Sequence, residues 1–443
     1  MTVFHTETRS PQRRIPWVGP LLGLLVLYLF YSQTQLSARD SGAAVPLEIP
    51  ADSPLRPDDC PNLPGFEDVL VVLKTGVTEA RHKIPIHLQT TLRCVPNYVL
   101  FSDFEEDIAG VHVHDVLRGV PEQVRRSHPD FDIYNRVQDG GRQALTDTDL
   151  TQDVNTPFGK PNNPGWKLDK WKFLPMIDAT LRIRGDAKWY VFMEADTYFV
   201  WPNLLGWLGK FNWREPHYLG NQMQIADVLF AHGGSGFVLS QPAMRKASDL
   251  RKSEVDKWIS MNDLHWAGDC VLGQLLSDAG VNLLWSWPML QNGQPADFDP
   301  FSEGYYKTPW CYAPVAYHHL GPEQIAELWK FDRRWFRAGN DVLTYGDVFR
   351  HIIRPRLGAI QNDWDNNLDD SNGRTSISMV ECRTQCIRQP DCLQYTYEDG
   401  KCWTSTGVKL GMRKPGVTSG WIETRIDATI ARLGHCHQAN WVI

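Results

Sequence analysis

The sequence contains no N-x-S/T sequon, no C-x2-C pair and no excess of basic residues. The first absence leaves chain topology without help from N-glycosylation. The second removes the short-spaced cysteine pairs typical of structural zinc, and no matching histidine spacing replaces them. The third argues against a nucleic-acid partner. Lys and Arg number 45 against 52 Asp and Glu, a formal net charge of -7, whereas nucleic-acid binding needs a basic patch or stripe. Long apolar runs are scarce too. One uncharged run stands out, Trp17–Tyr31, and it is shorter than the roughly 20 residues of a typical membrane helix.

Ile15 and Pro16 extend that run to 15–31, and Arg9, Arg13 and Arg14 precede it. Basic residues on that side favour a cytoplasmic N-terminus. The expectation is a cytoplasmic tail at 1–14 and a transmembrane signal-anchor at 15–31. A cleaved signal peptide, with its apolar part at Leu21–Phe30 and a cleavage site at Leu36-Ser37-Ala38, is the alternative. Either way the remaining chain enters the lumen of the secretory pathway.

Residues 32–60 are rich in Ser, Ala, Pro and Asp without periodicity, as in a stem. Cys60, Cys94, Cys270 and Cys311 are spread over the long central region. Cys382, Cys386, Cys392, Cys402 and Cys436 crowd the end. Clustered cysteines in an oxidising compartment indicate a small disulfide-stapled module, here 376–440. Their pairing cannot be read from the sequence, and nine cysteines leave at least one thiol free or paired between chains. Residues 362–375, polar and rich in Asp and Asn, read as a linker to that module.

Between them, 61–361 alternates strand and helix signals, which predicts an α/β sheet with crossovers. Asp68–Leu73 and Asn97–Asp103 read as buried parallel strands, with a weaker strand at Val111–His114. Residues 138–166 read as a polar surface loop and Trp166–Arg184 as a helix that Pro175 kinks or whose start it shifts. Strands are expected at Ala187–Phe192, Gly236–Ser240 and Val281–Trp285, and helices after Phe199 and over Cys270–Leu276.

The segment Lys188–Tyr198 carries the chemistry. An apolar strand delivers Glu194 and Asp196 at its C-terminal end, where open α/β sheets bind ligands. Alternation puts both carboxylates on one side of an extended chain. Paired carboxylates can hold a hard divalent cation, and acidic residues in a solvated turn are the plain alternative.

This segment resembles the inverting β1,3-glycosyltransferases of the core-1 galactosyltransferase group, particularly their fungal relatives. Four blocks carry the resemblance. They are Glu194-Ala195-Asp196-Thr197-Tyr198 with Asn203-Leu204, Gly233-Gly234-Ser235-Gly236-Phe237-Val238-Leu239-Ser240, Gly268-Asp269-Cys270, and Tyr317-His318-His319. They cover roughly 66–335. The resemblance implies a GT-A fold with a Rossmann-like mixed sheet, a type II single-pass anchor in the Golgi or endoplasmic reticulum, and a UDP-sugar donor with a glycan or glycoprotein acceptor. Asp196 and His318 are then metal ligands, with Glu194 a ligand directly or through water, or a contact to the ribose. His319 is the understudy to His318. An imidazole ligand tilts the cation toward Mn²⁺, with Mg²⁺ the alternative. Asp269 is the expected general base, against the alternative of a helix N-cap. Gly233 and Gly234 let backbone approach the sugar or diphosphate, and Thr75, Arg81 and Asp103 fall where relatives hold the nucleotide. Trp201, Trp285 and Trp287 are candidate sugar platforms or wall residues. Ala195 and Gly268 depart from the family's acidic pattern. The tail is similar to PAN/apple modules, which bind proteins or carbohydrates. A non-catalytic carbohydrate- or protein-binding protein that keeps the fold is the second reading. A glycoside hydrolase, which needs no metal-diphosphate site, is a weaker third.

Overall fold

The computed structural model describes residues 60–150, 162–368 and 373–443. The tail, the signal-anchor and all of the stem except Cys60 lie outside them. No helix among the described residues is long and apolar enough to cross a membrane.

The architecture is mixed α/β, and its first strand shows why. Strand β1 (Val69–Lys74) is buried along its whole length. Val69, Val71 and Leu73 enter one apolar cluster, while Leu70 and Val72 enter another on the opposite face. A strand covered on both faces needs an unbroken apolar run rather than alternation. β1 pairs in parallel with β2 (Tyr98–Ser102) and, further along the chain, with Trp189–Glu194. A short hairpin, β3 (Glu106–Ile108) and β4 (Val111–Asp115), continues from β2, β4 pairing with it in parallel. With β5 denoting Trp189–Glu194, the eight-stranded sheet runs Leu283–Trp285, Tyr218–Gly220, Phe237–Ser240, β5, β1, β2, β4, β3. Phe237–Ser240 is antiparallel to both of its neighbours, which makes the sheet mixed. This is the Rossmann-like GT-A arrangement.

The helix expected over Trp166–Arg184 is two helices, Pro164–Asp169 and Phe173–Ile183. Pro175 lies in the first turn of the second, where an N–H has no intrahelical acceptor anyway. The break lets Lys172 turn inward, where it reaches the carbonyl of Thr75 (2.8 Å) and Asp103 (3.0 Å). The polar stretch read as a loop begins inside a helix, Asp132–Gly140.

Four disulfides join Cys60–Cys94, Cys311–Cys436, Cys382–Cys402 and Cys386–Cys392, leaving Cys270 as a buried free thiol. The C-terminal region is a five-stranded sheet with helix Met379–Arg388 stapled to it through Cys382–Cys402. Gln361–Asp365, at the start of the segment read as linker, is an edge strand of that sheet and pairs with Met412–Trp421. Cys436 closes a loop back to Cys311. The Trp310 indole N–H donates to Gly434 O (3.1 Å) and Arg350 to the same carbonyl (2.6 Å).

Candidate functional site

β5 ends at Glu194, and a turn at 195–196 presents Asp196. The chain then forms Tyr198–Phe199, which pairs antiparallel with Ala316–Tyr317 in the register Tyr198–Tyr317. That pairing delivers the next residue, His318, beside Asp196. Its Nε2 lies 3.2 Å from Asp196 Oδ1, and Leu320 N–H bonds Asp196 O (3.0 Å). His319 takes a left-handed backbone (φ 59°) that turns its ring back over His318, with centroids 3.9 Å apart. Asp196, His318 and His319 each offer one ligand atom, all within 4.8 Å of one another.

This cluster is a candidate site for a divalent cation, and its unspent atoms fit that use. His318 Nδ1 is buried without a hydrogen-bond partner among the described residues, and buried Asp196 Oδ1 has no partner there beyond its ion pair with His318 Nε2. Such atoms are costly unless something compensates them. One carboxylate and two imidazoles suit a borderline cation such as Mn²⁺ better than Mg²⁺. Burial opposes ionisation of Asp196, but His318, Lys83 and His319 outweigh it and hold the carboxyl well below its usual range. Lys83 Nζ is 3.3 Å from Asp196 Oδ2. His318 is likewise pushed up, burial notwithstanding, by Asp196. His232 stands ring to ring with His318 at 5.3 Å. Burial and the two histidines nearby depress it to about 3, so it stays neutral. The sequence reading has no place for His232.

Glu194 is aimed elsewhere. Its Oε1 pairs with Lys74 Nζ at 3.0 Å, and Lys74 also grips Asp169. Burial raises the Glu194 carboxyl against the pull of Lys74, with Asp169 and Asp196 adding to the rise. Lys74 and Asp169 are absent from the sequence reading. A lysine closing an otherwise apolar strand, Val69-Leu70-Val71-Val72-Leu73-Lys74, is the signal that could have found the first.

Asp269 occupies a second corner. It lies in the first turn of helix Gly268–Asp278, whose N-cap is Ala267, so it is not the cap residue. Gly233 N–H donates to Asp269 Oδ2 (2.9 Å) and Cys270 N–H to Oδ1 (2.9 Å). Burial pushes its carboxyl up to about 6, opposed by the Gly233 N–H and assisted by Glu194.

Packing accounts for the two departures from the family pattern. A Cβ at Gly268 would stand 2.4 Å from the carbonyl oxygen of Lys170 and 2.6 Å from its Cα, so no acidic side chain fits there. Ala195 is buried in the core cluster, and its carbonyl meets His87 Nε2 at 2.9 Å. At Gly234, an added Cβ would sit 2.2 Å from His318 Cε1. The glycine therefore makes room for the histidine ring.

The residues expected at the nucleotide have structural partners. Asp103 is buried and accepts Val77 N–H (2.6 Å) while pairing with Lys172. Thr75 is buried, its hydroxyl 3.3 Å from Glu79. Arg81 is exposed and pairs with Glu106 (3.0 Å). Asp103 and Thr75 lie at the ends of β2 and β1, where a ligand of this sheet is expected. Trp201 is a core residue, stacked on Phe199 with its N–H on Thr91 O (2.7 Å). Trp285 and Trp287, by contrast, line a cleft of about 280 Å³ with Asn221, Gln222, Asn292 and Tyr305. The cleft adjoins the cluster, because Gly293 in its wall accepts His318 N–H (3.2 Å) and Asn221 O accepts His232 N–H (2.8 Å).

Glu194, Asp196, Gly233, Gly234 and Asp269 all fall within one stretch that known proteins share: residues 170–290 match the family model described as Fringe-like, which places a glycosyltransferase-type domain there.

Proposed function

We propose that this chain transfers a hexose from a UDP-sugar to a hydroxyl of a glycan or glycoprotein, inverting the anomeric carbon and forming a β1,3 linkage. The observation that carries the reading is the pair of half-buried carboxylates with opposed electrostatics, both inside the Fringe-like stretch. Environments that push two acids apart assign them different tasks. Asp196, His318 and His319 would hold a divalent cation, Mn²⁺ before Mg²⁺, which would supply charge balance for a departing diphosphate.

Asp269 acts on the other partner. As the acceptor oxygen bonds to the anomeric carbon, its proton passes to the Asp269 carboxylate. The bond from that carbon to the phosphate oxygen breaks, and its electron pair leaves with UDP. A carboxyl titrating near 6 is ionised at neutral pH yet basic enough to take a proton. Thr75, Arg81 and Asp103 flank the nucleotide in this reading, with Glu194 toward the ribose and Gly233 and Gly234 toward the sugar-diphosphate. The cleft of Trp285, Trp287 and Tyr305 receives the acceptor. Aromatic rings stack on the apolar faces of sugars and carboxamides bond their hydroxyls, a lining suited to a neutral glycan. Asn367 and the C-terminal region, 376–440, brace that wall. Leu410 and Gly411 N–H both bond Ala296 O (2.9 Å), and Asn367 bonds Asp297 (2.5 Å). Four disulfides fit a lumenal setting, consistent with an anchored protein of the Golgi or endoplasmic reticulum.

The test is turnover of UDP-sugars by the purified chain with and without Mn²⁺, followed by an acceptor screen on a glycan array. Mn²⁺-dependent release of UDP, increased by an acceptor, is expected. Glycan binding that survives loss of both Asp196 and Asp269, without turnover of any donor, would establish a carbohydrate-binding protein instead.

A further inference from the structure

The edge hairpin carries a second constellation of metal-ligand type, outside the site above. Glu105 immediately precedes β3, and His112 and His114 stand two residues apart on β4. Side chains at that spacing point to the same face of a strand. Glu105, His112 and His114 each offer a ligand atom, all within 4.8 Å of one another. Glu105 Oε1 lies 2.6 Å from His112 Nε2 and 3.7 Å from His114 Nδ1.

Each ligand but His114 is also held from behind by a polar partner. The other Glu105 oxygen, Oε2, accepts Asp115 N–H (3.0 Å) and pairs with Arg118 (3.1 Å), which leaves Oε1 facing the imidazoles. His112 Nδ1 meets Asp107 Oδ1 at 2.8 Å. With Nδ1 directed at Asp107, His112 presents Nε2 to Glu105, the carboxylate–histidine arrangement that orients metal ligands. His114 is backed by an aromatic ring, Phe101, at 6.0 Å. The side chains of His112, His114 and Glu105 are 47%, 42% and 29% exposed, open enough for an ion to enter.

We propose that Glu105, His112 and His114 bind a zinc ion at the outer edge of the sheet, with one coordination position left open to water or to a group from another molecule. Two imidazoles and one carboxylate form a common three-ligand zinc set. Binding needs only a small widening of the Glu105–His112 contact, and the proton on His112 Nε2 leaves to solvent. The ion ties the segment before β3 to β4, two residues beyond Asp103. The rival is an ordinary solvated network in which His112 bridges two carboxylates.

Zinc titration of the chelator-treated full chain by calorimetry separates these. The H318A background removes the other three-ligand cluster. One zinc equivalent is expected to remain in H318A and to disappear in H318A with H112Q and H114Q. D107N in the H318A background is expected to weaken binding by about tenfold, the lower end for loss of a partner behind a ligand. Equal stoichiometry and affinity with and without the two histidines would overturn the proposal. X-ray absorption of zinc-loaded H318A gives a second measure that does not depend on variants at the hairpin. Two imidazole nitrogens at about 2.0 Å are expected, and a shell of oxygens alone would overturn it.

Discussion

Asp196 and Asp269 are the same side chain on either side of Gly233 and Gly234, and their surroundings drive them in opposite directions. Asp196 leaves a strand end into a pocket of cationic and imidazole neighbours, Lys83, His318 and His319. Asp269 starts a helix, receives two backbone N–H groups, and has the negative Glu194 close enough to raise it. Burial disfavours ionisation of both. Only Asp196 has neighbours strong enough to reverse that, so it remains an anion while Asp269 is poised near 6. Local charge, more than residue type, separates a cation ligand from a proton acceptor.

The largest effect should come from the cationic corner. Asp196→Asn removes the only carboxylate of the three-ligand cluster, and transfer is expected to fall on the order of 10³-fold, at the upper end for losing one pre-placed electrostatic group. Mn²⁺ titration should show weakened binding. Next comes Asp269→Asn, with transfer lowered about 10²-fold and donor and Mn²⁺ affinities retained. Should D269N weaken Mn²⁺ as much as D196N does, the division of labour between the corners fails. Gly234→Ala sharpens the contrast with a smaller change. Its Cβ drives into the His318 ring, and overpacking of about 1–3 kcal/mol should weaken Mn²⁺ binding roughly tenfold. The pH profile governed by Asp269 should not move. In that profile, kcat/KM falls about tenfold per unit below pH 6 as the base takes up its proton, and is level above it.

How much of this was legible follows from how far apart the partners lie in the chain. β1, β2 and β5 are apolar runs, and burial on both faces leaves a plain mark on the sequence. Glu194 and Asp196 stand at the end of such a run, so their place at the C-terminal end of a sheet strand could be read directly. His318 is beside Asp196 because two short strands pair across more than a hundred residues, and no local pattern encodes that. The resemblance, rather than spacing, pointed to it. Lys83 with Asp196, and Lys74 with Asp169, are separated by 113 and 95 residues, and the sequence reading missed both lysines. The helix break before Phe173 was hidden for a similar reason: Lys172 looks like a surface residue until its buried partners Asp103 and Thr75 are known. Cysteine clustering disclosed the stapled C-terminal region, but not that Cys436 reaches back to Cys311.

A thermodynamic effect sets the two corners against each other most directly. Asp269 titrates near 6 in the folded chain and near 3.9 when unfolded. Between those values the unfolded chain has lost its proton and the folded chain has not, so stability falls as pH rises from 4 through 6. Above 6 the full cost remains, roughly 3 kcal/mol for about two units at 1.36 kcal/mol each. D269N carries no charge and escapes this, so it should gain on the parent chain between pH 4 and pH 7. Asp196 has the reverse sign. Its folded value lies below the unfolded one, so its contribution is present above about pH 4 and is lost in acid. D196N should therefore be the less stable variant at pH 7 and approach the parent as pH falls. Urea unfolding in chelator at pH 7, pH 4 and pH 2 measures both differences in one series, Asp269 between pH 7 and pH 4 and Asp196 below pH 4. If D269N gains nothing on the parent between pH 4 and pH 7, or D196N does not approach the parent below pH 4, the opposed electrostatics of the corners is wrong, and the assignment of cation ligand and base loses its physical ground.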